Sequence, residues 1–148
     1  MTQDRESDEY YTPKYIFDAL KLKFDIDLTS PEGGIEWIPA KRYFTKEQDA
    51  LKQEWVGKVW LNPPYSKPGE FMKKFIQHGN GVSLVCVSKS NWFKEVWDSA
   101  DGILFPAPYF KFIHKTKGNQ SIFMPVILIA MGEECVEALK NSGLGRMR

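Results

Sequence analysis

Residues that build metal sites and disulfide frameworks are scarce in this sequence. Its 148 residues include two cysteines and two histidines. Cys86 lies in an apolar run and Cys135 in a predicted helix, which is typical of free thiols in a reducing compartment. His78 and His114 have no partner at metal-ligand spacing, so the sequence predicts no metal site. A disulfide-stapled secreted domain and a zinc centre are both disfavoured.

Long apolar runs and an excess of either charge are also missing. No apolar stretch reaches about 18 residues, and the opening segment, "MTQDRESDEY", is mostly polar. The sequence therefore predicts neither a membrane span nor a signal peptide, and it indicates a cytoplasmic protein. Twenty lysines and arginines balance nineteen aspartates and glutamates, and this balance neither requires nor excludes a nucleic-acid partner.

The remaining pattern is a regular alternation of strands and helices. The length fits one domain, with a flexible tail predicted at residues 1–9 and a folded domain at residues 10–148. Alternation with helices of about 10 residues predicts an α/β fold, a doubly wound and mostly parallel sheet. Because no helical pattern separates the last two strands, an antiparallel edge strand is expected. Strands are predicted at residues 24–28, 42–45, 58–62, 82–88, 102–107 and 122–131, and helices at residues 13–24, 69–79, 92–100 and 133–143.

Both ends of the folded domain carry a further prediction. Thr12 followed by Pro13 is a helix-start signal, with the threonine hydroxyl as the N-cap and proline at the first helical position. The C-terminal segment "GRMR" is expected to be solvated.

The stretch "VWLNPPYSK" (59–67) ends an apolar strand with Asn62-Pro63-Pro64-Tyr65. Prolines fix φ near about −65° and lack an amide hydrogen, so the loop is stiff and offers carbonyl acceptors. Asn62 adds a side-chain carbonyl, and Tyr65 adds a flat ring. Such an array can accept both hydrogens of a planar group's NH₂ and stack on its ring, which stabilises the nitrogen as it becomes tetrahedral. A plain turn is the alternative, since Asn-Pro and Pro-Pro pairs often mark loops.

A second polar group follows the predicted strand "FDIDL". Asp27 and Thr29 lie at its carboxyl end. In open parallel sheets, ligands bind beyond the carboxyl ends of the strands. If this strand neighbours the strand that ends at Asn62, both groups face one crevice.

Four segments together resemble the phage-type DNA N6-adenine methyltransferases, the Dam family. They are "YTPKYIFDAL" (within 10–20), "FDIDLTSPEGG" (24–34), "DALKQEWVGKVWLNPPYSK" (49–67), and "VSLVCVSKSNWF" with "ADGILF" (82–105). Asn-Pro-Pro-Tyr alone is shared by many amino-group methyltransferases. The Thr-Pro start, the Asp-x-Leu-x-x-x-Trp approach and the Ser-Asn-Trp-Phe segment are more particular to this family.

This resemblance implies a minimal class I S-adenosylmethionine-dependent fold and methyl transfer to a flipped-out adenine of double-stranded DNA. It implies that Asn62, Pro63 and Pro64 bind the target amino group, while Tyr65 stacks on the base. Asp27 would meet the cofactor's ammonium group. Asp49 would accept from the cofactor's adenine amino group. The full set of implied cofactor-binding residues is Tyr11, Thr12, Pro13, Asp27, Thr29 and Asp49.

Two features depart from the usual pattern of methyltransferases. The glycine-rich cofactor loop is represented only by Gly33-Gly34, late and after a proline. No acidic partner for the cofactor ribose is clear, and Glu32 and Glu36 are the candidates.

The segment "PAPYFKFIHKTKGNQS" (106–121) contains three lysines, three aromatics and no acid. Extruding a base costs a few kcal/mol, and lysines offset the phosphate charge along the way. The segment therefore fits a loop lying on DNA, or an exposed hairpin whose lysines discourage edge pairing. The candidate DNA-binding residues are Ser66, Lys67, Lys89, Asn91, Trp92, Lys111, Lys115 and Lys117.

The residues leave two other functions open. Asn-Pro-Pro-Tyr also serves methylation of RNA bases and of glutamine amides in proteins. A non-catalytic relative that binds DNA without turnover is the remaining alternative. The recognition sequence and the oligomeric state are not indicated.

Overall fold

The computed structural model describes residues 10–107, 111–114, 118–121 and 125–148, so the tail expected at residues 1–9 lies outside the described part. The helices are α1 (Lys14–Leu20), α2 (Gly69–His78), α3 (Asn91–Ser99) and α4 (Glu133–Asn141), and a 3₁₀ turn spans Ala50–Lys52. The strands are β1 (Tyr10–Tyr11), β2 (Phe24–Asp27), β3 (Ala40–Tyr43), β4 (Val59–Leu61), β5 (Gly81–Cys86), β6 (Gly102–Pro106), β7 (Lys111–His114), β8 (Gly118–Ser121), β9 (Val126–Met131) and β10 (Gly145–Met147).

Seven of these strands form one sheet in the order β10-β6-β9-β5-β4-β2-β3. Strands β3, β2, β4 and β5 are parallel neighbours, whereas β9 pairs antiparallel with both β5 and β6. The predicted α/β fold with a mostly parallel sheet is confirmed, and the last two predicted strands, β6 and β9, pair antiparallel as expected. They do not lie at the edge of the sheet, where β10 pairs antiparallel with β6. A second antiparallel strand, β9, lies inside the sheet. All six of its side chains are buried, which suits an interior position.

Side chains of the strands alternate between two apolar layers, one on each face of the sheet. One layer includes Trp60 and Leu84 and packs on α1 and α4. The other includes Leu61 and Val85 and packs on α2 and α3. Helices therefore cover both faces. None of the helices in the described ranges is long and apolar enough to cross a membrane.

The segment expected to be a solvated C-terminal tail is instead part of the sheet. Residues 145–147 form β10 beside β6, and the backbone of Arg148 exchanges hydrogen bonds with that of Ile103. The guanidinium of Arg148 lies 4.2 Å from the centre of the Trp97 ring. Hydrogen bonds of the backbone stabilise this strand. Its three residues show no alternation of apolar and polar side chains, so the sequence pattern could not predict it.

A smaller antiparallel sheet has the order β1-β7-β8. Its central strand belongs to the basic segment 106–121, and its first strand pairs Tyr11 with Ile113. The backbone of that segment is thus a hairpin where it is described. The pairing of β1 with β7 holds the chain at Tyr11, just before α1, and so fixes the position at which the chain enters the main domain.

Candidate active site

The loops that follow β2 and β4 meet at the carboxyl edge of the sheet. The two strands are parallel neighbours, which was the condition for their loops to face one crevice, and Asp27 pairs in register with Trp60. The hydroxyl of Thr29 donates a hydrogen bond of 2.7 Å to the backbone carbonyl of Asn62. This bond joins the two loops directly and fixes the backbone at the start of Asn-Pro-Pro-Tyr.

Thr12 belongs to the same cluster, and its predicted role as a helix N-cap is wrong. Pro13 is the N-cap of α1 and makes no side-chain cap bond. Thr12 is 1% exposed, and its hydroxyl accepts a 3.4 Å hydrogen bond from Nδ2 of Asn62. Its carbonyl accepts a 2.8 Å bond from Nε1 of Trp37. Thr12 therefore bonds into the loop of Asn62 and leaves the first turn of α1 without a side-chain cap.

Asp27 is a buried carboxyl group beside this cluster, with 3% of its surface exposed. Burial raises its pKa from 3.8 to about 7, and the hydrogen bond from the backbone N–H of Thr29, at 3.4 Å, opposes that rise. A carboxyl group that titrates near neutrality in a crevice is typical of functional sites. A cationic ligand group placed beside Asp27 would favour its ionised form.

Tyr65 packs against the apolar layer that contains Trp60. Burial raises the pKa of Tyr65 well above 10, and the nearby Cys86 adds to the rise. The pKa of the Cys86 thiol is itself raised by burial to about 11. Both groups are therefore neutral at physiological pH, and Tyr65 can contribute its ring but not a proton transfer.

Asp49 lies in the connection between β3 and β4, where it caps the 3₁₀ turn. Its carboxylate accepts a 3.1 Å bond from the N–H of Leu51. The ammonium of Lys74 on α2 donates to the carbonyls of Ala50 and Leu51, at 3.3 and 3.2 Å, and lies over the ring of Trp55. Within the described ranges, Asp49 is bonded to its own turn and not to the residues around Asn62.

Tyr43 is a residue of this edge that the sequence interpretation missed. It ends β3 and pairs in register with Asp27. Its ring lies on Gly34, since a Cβ at that position would be 3.0 Å from Cε1 of Tyr43. The side chain remains 39% exposed. In the sequence, the Gly33-Gly34 pair before an aromatic strand was the only indication that a ring packs closely here, and it did not identify that ring as Tyr43.

The two candidate acids for the cofactor ribose lie on the connection between β2 and β3. Glu32 and Glu36 are both exposed there. Trp37, also unremarked in the sequence, follows on the same connection. Its bond goes to a backbone carbonyl, so no pattern of side chains could have indicated it.

Several of the candidate DNA-binding residues lie along one rim. Lys67 is exposed and Ser66 half-buried after β4, while Lys89 and Asn91 are exposed between β5 and the start of α3. Because β4 and β5 are parallel neighbours, these two loops leave the sheet at the same edge. Trp92 is partly buried against Gly69 at the start of α2, so much of its ring is packing surface.

The remaining candidates belong to the basic segment. Lys111 is a residue of β7 whose backbone alone is described, and Lys115 and Lys117 lie outside the described residues. Among the residues described, no group of three or more His, Cys, Asp or Glu side chains could hold a metal ion.

Comparison with known proteins gives the family. A family profile described as "DNA N-6-adenine-methyltransferase (Dam)" matches residues 1–133. A DNA N-6-adenine-methyltransferase of Escherichia phage T1 is 32% identical over 115 residues, which cover 70% of this chain and 47% of the relative. Another, from Haemophilus phage HP1 (strain HP1c1), is 32% identical over 80 residues, which cover 51% of this chain and 44% of the relative. The matches span less than half of either relative, and the profile match shows that this chain belongs to the DNA N-6-adenine-methyltransferase (Dam) family.

Proposed function

We propose that this protein transfers a methyl group from S-adenosylmethionine to the exocyclic amino group of adenine in double-stranded DNA. The observation that carries the proposal is the 2.7 Å bond between Thr29 and the Asn62 carbonyl, which brings the Asn-Pro-Pro-Tyr loop beside the buried Asp27. Family membership supports the reaction class. The phage origin of both relatives supports a site of action in the cytoplasm of a bacterial host.

Asp27 fits the amino-acid end of the cofactor. Within the described part of the chain, its buried carboxyl accepts a bond from the N–H of Thr29, so a cationic ammonium group is the ligand that would best compensate its charge. Tyr11, Thr12 and Pro13 lie where β1 leads into α1, and we assign them to the same end. Asp49 is assigned to the adenine amino group. When bound, S-adenosylmethionine supplies a sulfonium methyl as the electrophile.

The target amino group is assigned to the Asn62 loop. Nδ2 of Asn62 donates to Thr12, and we assign Oδ1 of the same amide as an acceptor for a hydrogen of the substrate nitrogen. The carbonyl of Pro63 is the second acceptor, and neither Pro63 nor Pro64 has an N–H that would repel the substrate's hydrogens. The ring of Tyr65 stacks on the base. No strong base is required, since the nitrogen loses its proton after the methyl has been transferred.

The adenine reaches this loop by leaving the duplex, at a cost of a few kcal/mol. Lys67 and Lys89 supply positive charge along the rim, and Asn91 begins α3, whose N-terminal amides favour a phosphate. The basic segment 106–121 is assigned to the duplex on either side. These contacts offset the cost of extrusion.

The proposal is tested by expressing the protein in a host without adenine methylation and digesting the host DNA to nucleosides. Mass spectrometry should then find N6-methyladenine. Purified protein should transfer tritiated methyl to duplex DNA in preference to RNA or protein extract. Transfer to RNA or to glutamine amides alone would replace the proposal with the corresponding alternative, and no transfer to any substrate would indicate a non-catalytic relative.

Tyr43 gives a prediction about the cofactor's nucleoside. One face of its ring rests on Gly34 and its side chain is partly exposed beside Asp27, so we place the cofactor's purine or ribose against the open face. Stacking on an aromatic ring is worth about 1–3 kcal/mol, so Tyr43→Ala should weaken S-adenosylhomocysteine binding roughly 5- to 150-fold.

Isothermal titration measures this effect, with Tyr43→Phe as the matched control that keeps the ring. The loss should extend to 5′-methylthioadenosine, which carries only the nucleoside half of the cofactor. Unchanged affinity of Tyr43→Ala for both compounds would remove Tyr43 from the site.

A further inference from the structure

We infer that Lys74 is a positioning residue for the adenine end of the cofactor, because its ammonium group holds the turn that carries Asp49. The inference rests on the proposed function, which assigns Asp49 to the adenine amino group. It adds to the site a residue of α2 that neither the sequence pattern nor the family resemblance indicated.

The turn that carries Asp49 begins from an unfavourable backbone conformation. Asp49 has φ 54° and ψ 94°, and residues other than glycine rarely adopt a positive φ. The 3₁₀ turn that follows has only three residues. Its own bonds are local, from the N–H of Leu51 to the Asp49 carboxylate and from the N–H of Lys52 to the Asp49 carbonyl. So short a turn needs contacts from elsewhere in the fold to keep this conformation.

Lys74 supplies those contacts. Its ammonium group has three N–H donors, and three carbonyls of the segment accept from it, those of Ala50 (3.3 Å), Leu51 (3.2 Å) and Gln53. The ammonium also lies 4.9 Å from the centre of the Trp55 ring. The indole N–H of Trp55 donates to the Ala50 carbonyl at 2.8 Å, so the lysine and the tryptophan hold the same peptide group.

The choice of partners leaves the Asp49 carboxylate charged. In the part of the chain that the structure describes, Lys74 bonds to carbonyls and to no carboxylate, so it holds the turn without neutralising Asp49. A carboxylate can accept about four hydrogen bonds. The bond from Leu51 therefore leaves capacity for an amino group of the cofactor.

Backbone bonds attach this turn to the end of β2. The N–H of Phe44 donates to the carbonyl of Asp27 at 2.9 Å, and the N–H of Asp49 donates to the carbonyl of Thr45 at 3.1 Å. Since Phe44 and Thr45 are consecutive, few bonds separate Asp49 from the Asp27 end of the crevice. A turn that is attached there and held from α2 by Lys74 fixes the distance between the two carboxyl groups.

Lys74→Met keeps the length of the side chain but removes the ammonium, and it should weaken S-adenosylhomocysteine binding roughly 3- to 12-fold. Complete loss of a hydrogen bond to a charged group costs roughly 10- to 150-fold in affinity, and a carboxylate that is loosely held should lose about half of that free energy. Lys73→Met, an exposed lysine of the same helix, is the matched control and should bind as wild type.

S-inosylhomocysteine distinguishes positioning from general loosening of the site. It carries a carbonyl where adenine has its amino group, so it gains nothing from a well-placed carboxylate. Its affinity should not fall in Lys74→Met, and the preference of the protein for the adenine compound should shrink. A purely structural role of Lys74 would weaken both compounds equally and leave that preference unchanged.

A double-mutant cycle with Asp49→Ala tests whether Lys74 acts through Asp49. Asp49→Ala alone should remove most of the preference for the adenine compound. The loss of S-adenosylhomocysteine affinity caused by Lys74→Met should then nearly vanish in the Asp49→Ala background. An equal loss in both backgrounds would show that the two residues act independently.

Isothermal titration of the whole chain measures these affinities, below the unfolding temperature of each variant. Trp55→Phe removes the second donor to the Ala50 carbonyl and should lower the same preference, which keeps the test open if Lys74→Met does not fold. If Asp49→Ala loses the preference while Lys74→Met or Trp55→Phe keeps it in full, the inference fails and the proposed function stands. If wild-type protein does not bind S-adenosylhomocysteine, the proposed function fails and the inference fails with it.

Discussion

Asn62→Ala should remove methyl transfer almost completely while the protein stays folded and still binds S-adenosylhomocysteine. In the proposed mechanism, the alanine deletes the side-chain acceptor that stabilises the substrate nitrogen as it becomes tetrahedral. Loss of one such preorganised group typically lowers kcat about 10²- to 10³-fold. Radiolabelled methyl transfer to duplex DNA measures the effect, and binding of S-adenosylhomocysteine by calorimetry provides the comparison.

The fold should survive because the loop is held by the backbone of Asn62. Its carbonyl accepts from Thr29 in the variant as in the wild type. The side chain is only half-buried, so its removal leaves a small cavity at most. Asn62→Asp is the matched control, since it retains an acceptor and should keep much more activity than alanine. Wild-type rates in Asn62→Ala would exclude this residue from the chemistry.

Asp27→Asn should give a protein that is more stable without cofactor and unable to bind it well. Burial raises the pKa of Asp27 from 3.8 to about 7, so its ionisation is costly in the folded state. Below the unfolded value, both states are protonated and the group has no effect on stability. As the pH rises through this range, the unfolded state ionises first and wild-type stability falls, by up to about 4 kcal/mol above the folded pKa.

The asparagine variant lacks this loss. Its advantage over wild type should be small near about pH 4 and should reach its full size above about pH 7. Urea unfolding without cofactor, repeated across that range, measures the difference. A constant difference at every pH would contradict the assigned titration.

Cofactor binding should show the opposite preference. Removing one member of a buried charge pair costs about 2–5 kcal/mol, so Asp27→Asn should weaken S-adenosylhomocysteine binding at least about 30-fold. Wild-type affinity should rise with pH as Asp27 ionises and level off above about pH 7. Undiminished binding by the variant would show that the ammonium group lies elsewhere.

Asp25 on the same strand is the matched control. Its pKa is lowered, first by the hydrogen bond that it accepts from the Lys58 backbone and also by Lys41. Asp25→Asn should therefore destabilise the protein, most clearly above the ordinary pKa of aspartate, and should leave cofactor affinity unchanged. The two substitutions, two residues apart, are expected to move stability in opposite directions.

The sequence predicted the parts of this molecule that follow from local pattern. The buried strands β4, β5 and β9 and the amphipathic helices α2, α3 and α4 were all predicted, because apolar periodicity alone specifies them. The interior position of β9 was not predicted. The position of β9 in the sheet depends on which strands it pairs with, and the sequence of one strand does not reveal its partners.

The same distinction applies to the site. Asp27 and Asn62 could be named from residue type and from their place at strand ends, and their neighbourhood then followed from the pairing of β2 with β4. Thr12 was read as a helix cap because Thr-Pro is a local signal, whereas its partner is fifty positions away. Tyr43 was missed for a similar reason. Its partly exposed ring can be recognised as part of the site only from its contact with Gly34. The sequence does not specify the path of the chain that brings these two residues together.

The pairing of β1 with β7 affects how the protein is completed during translation. Tyr11 is synthesised before β2 to β6, but its partner Ile113 is made only after them. Thr12 follows Tyr11 directly, so this part of the candidate site can be anchored through β1 only after β7 has been made. A substitution in β7 that prevents pairing should consequently disturb Thr12, about a hundred residues earlier in the chain.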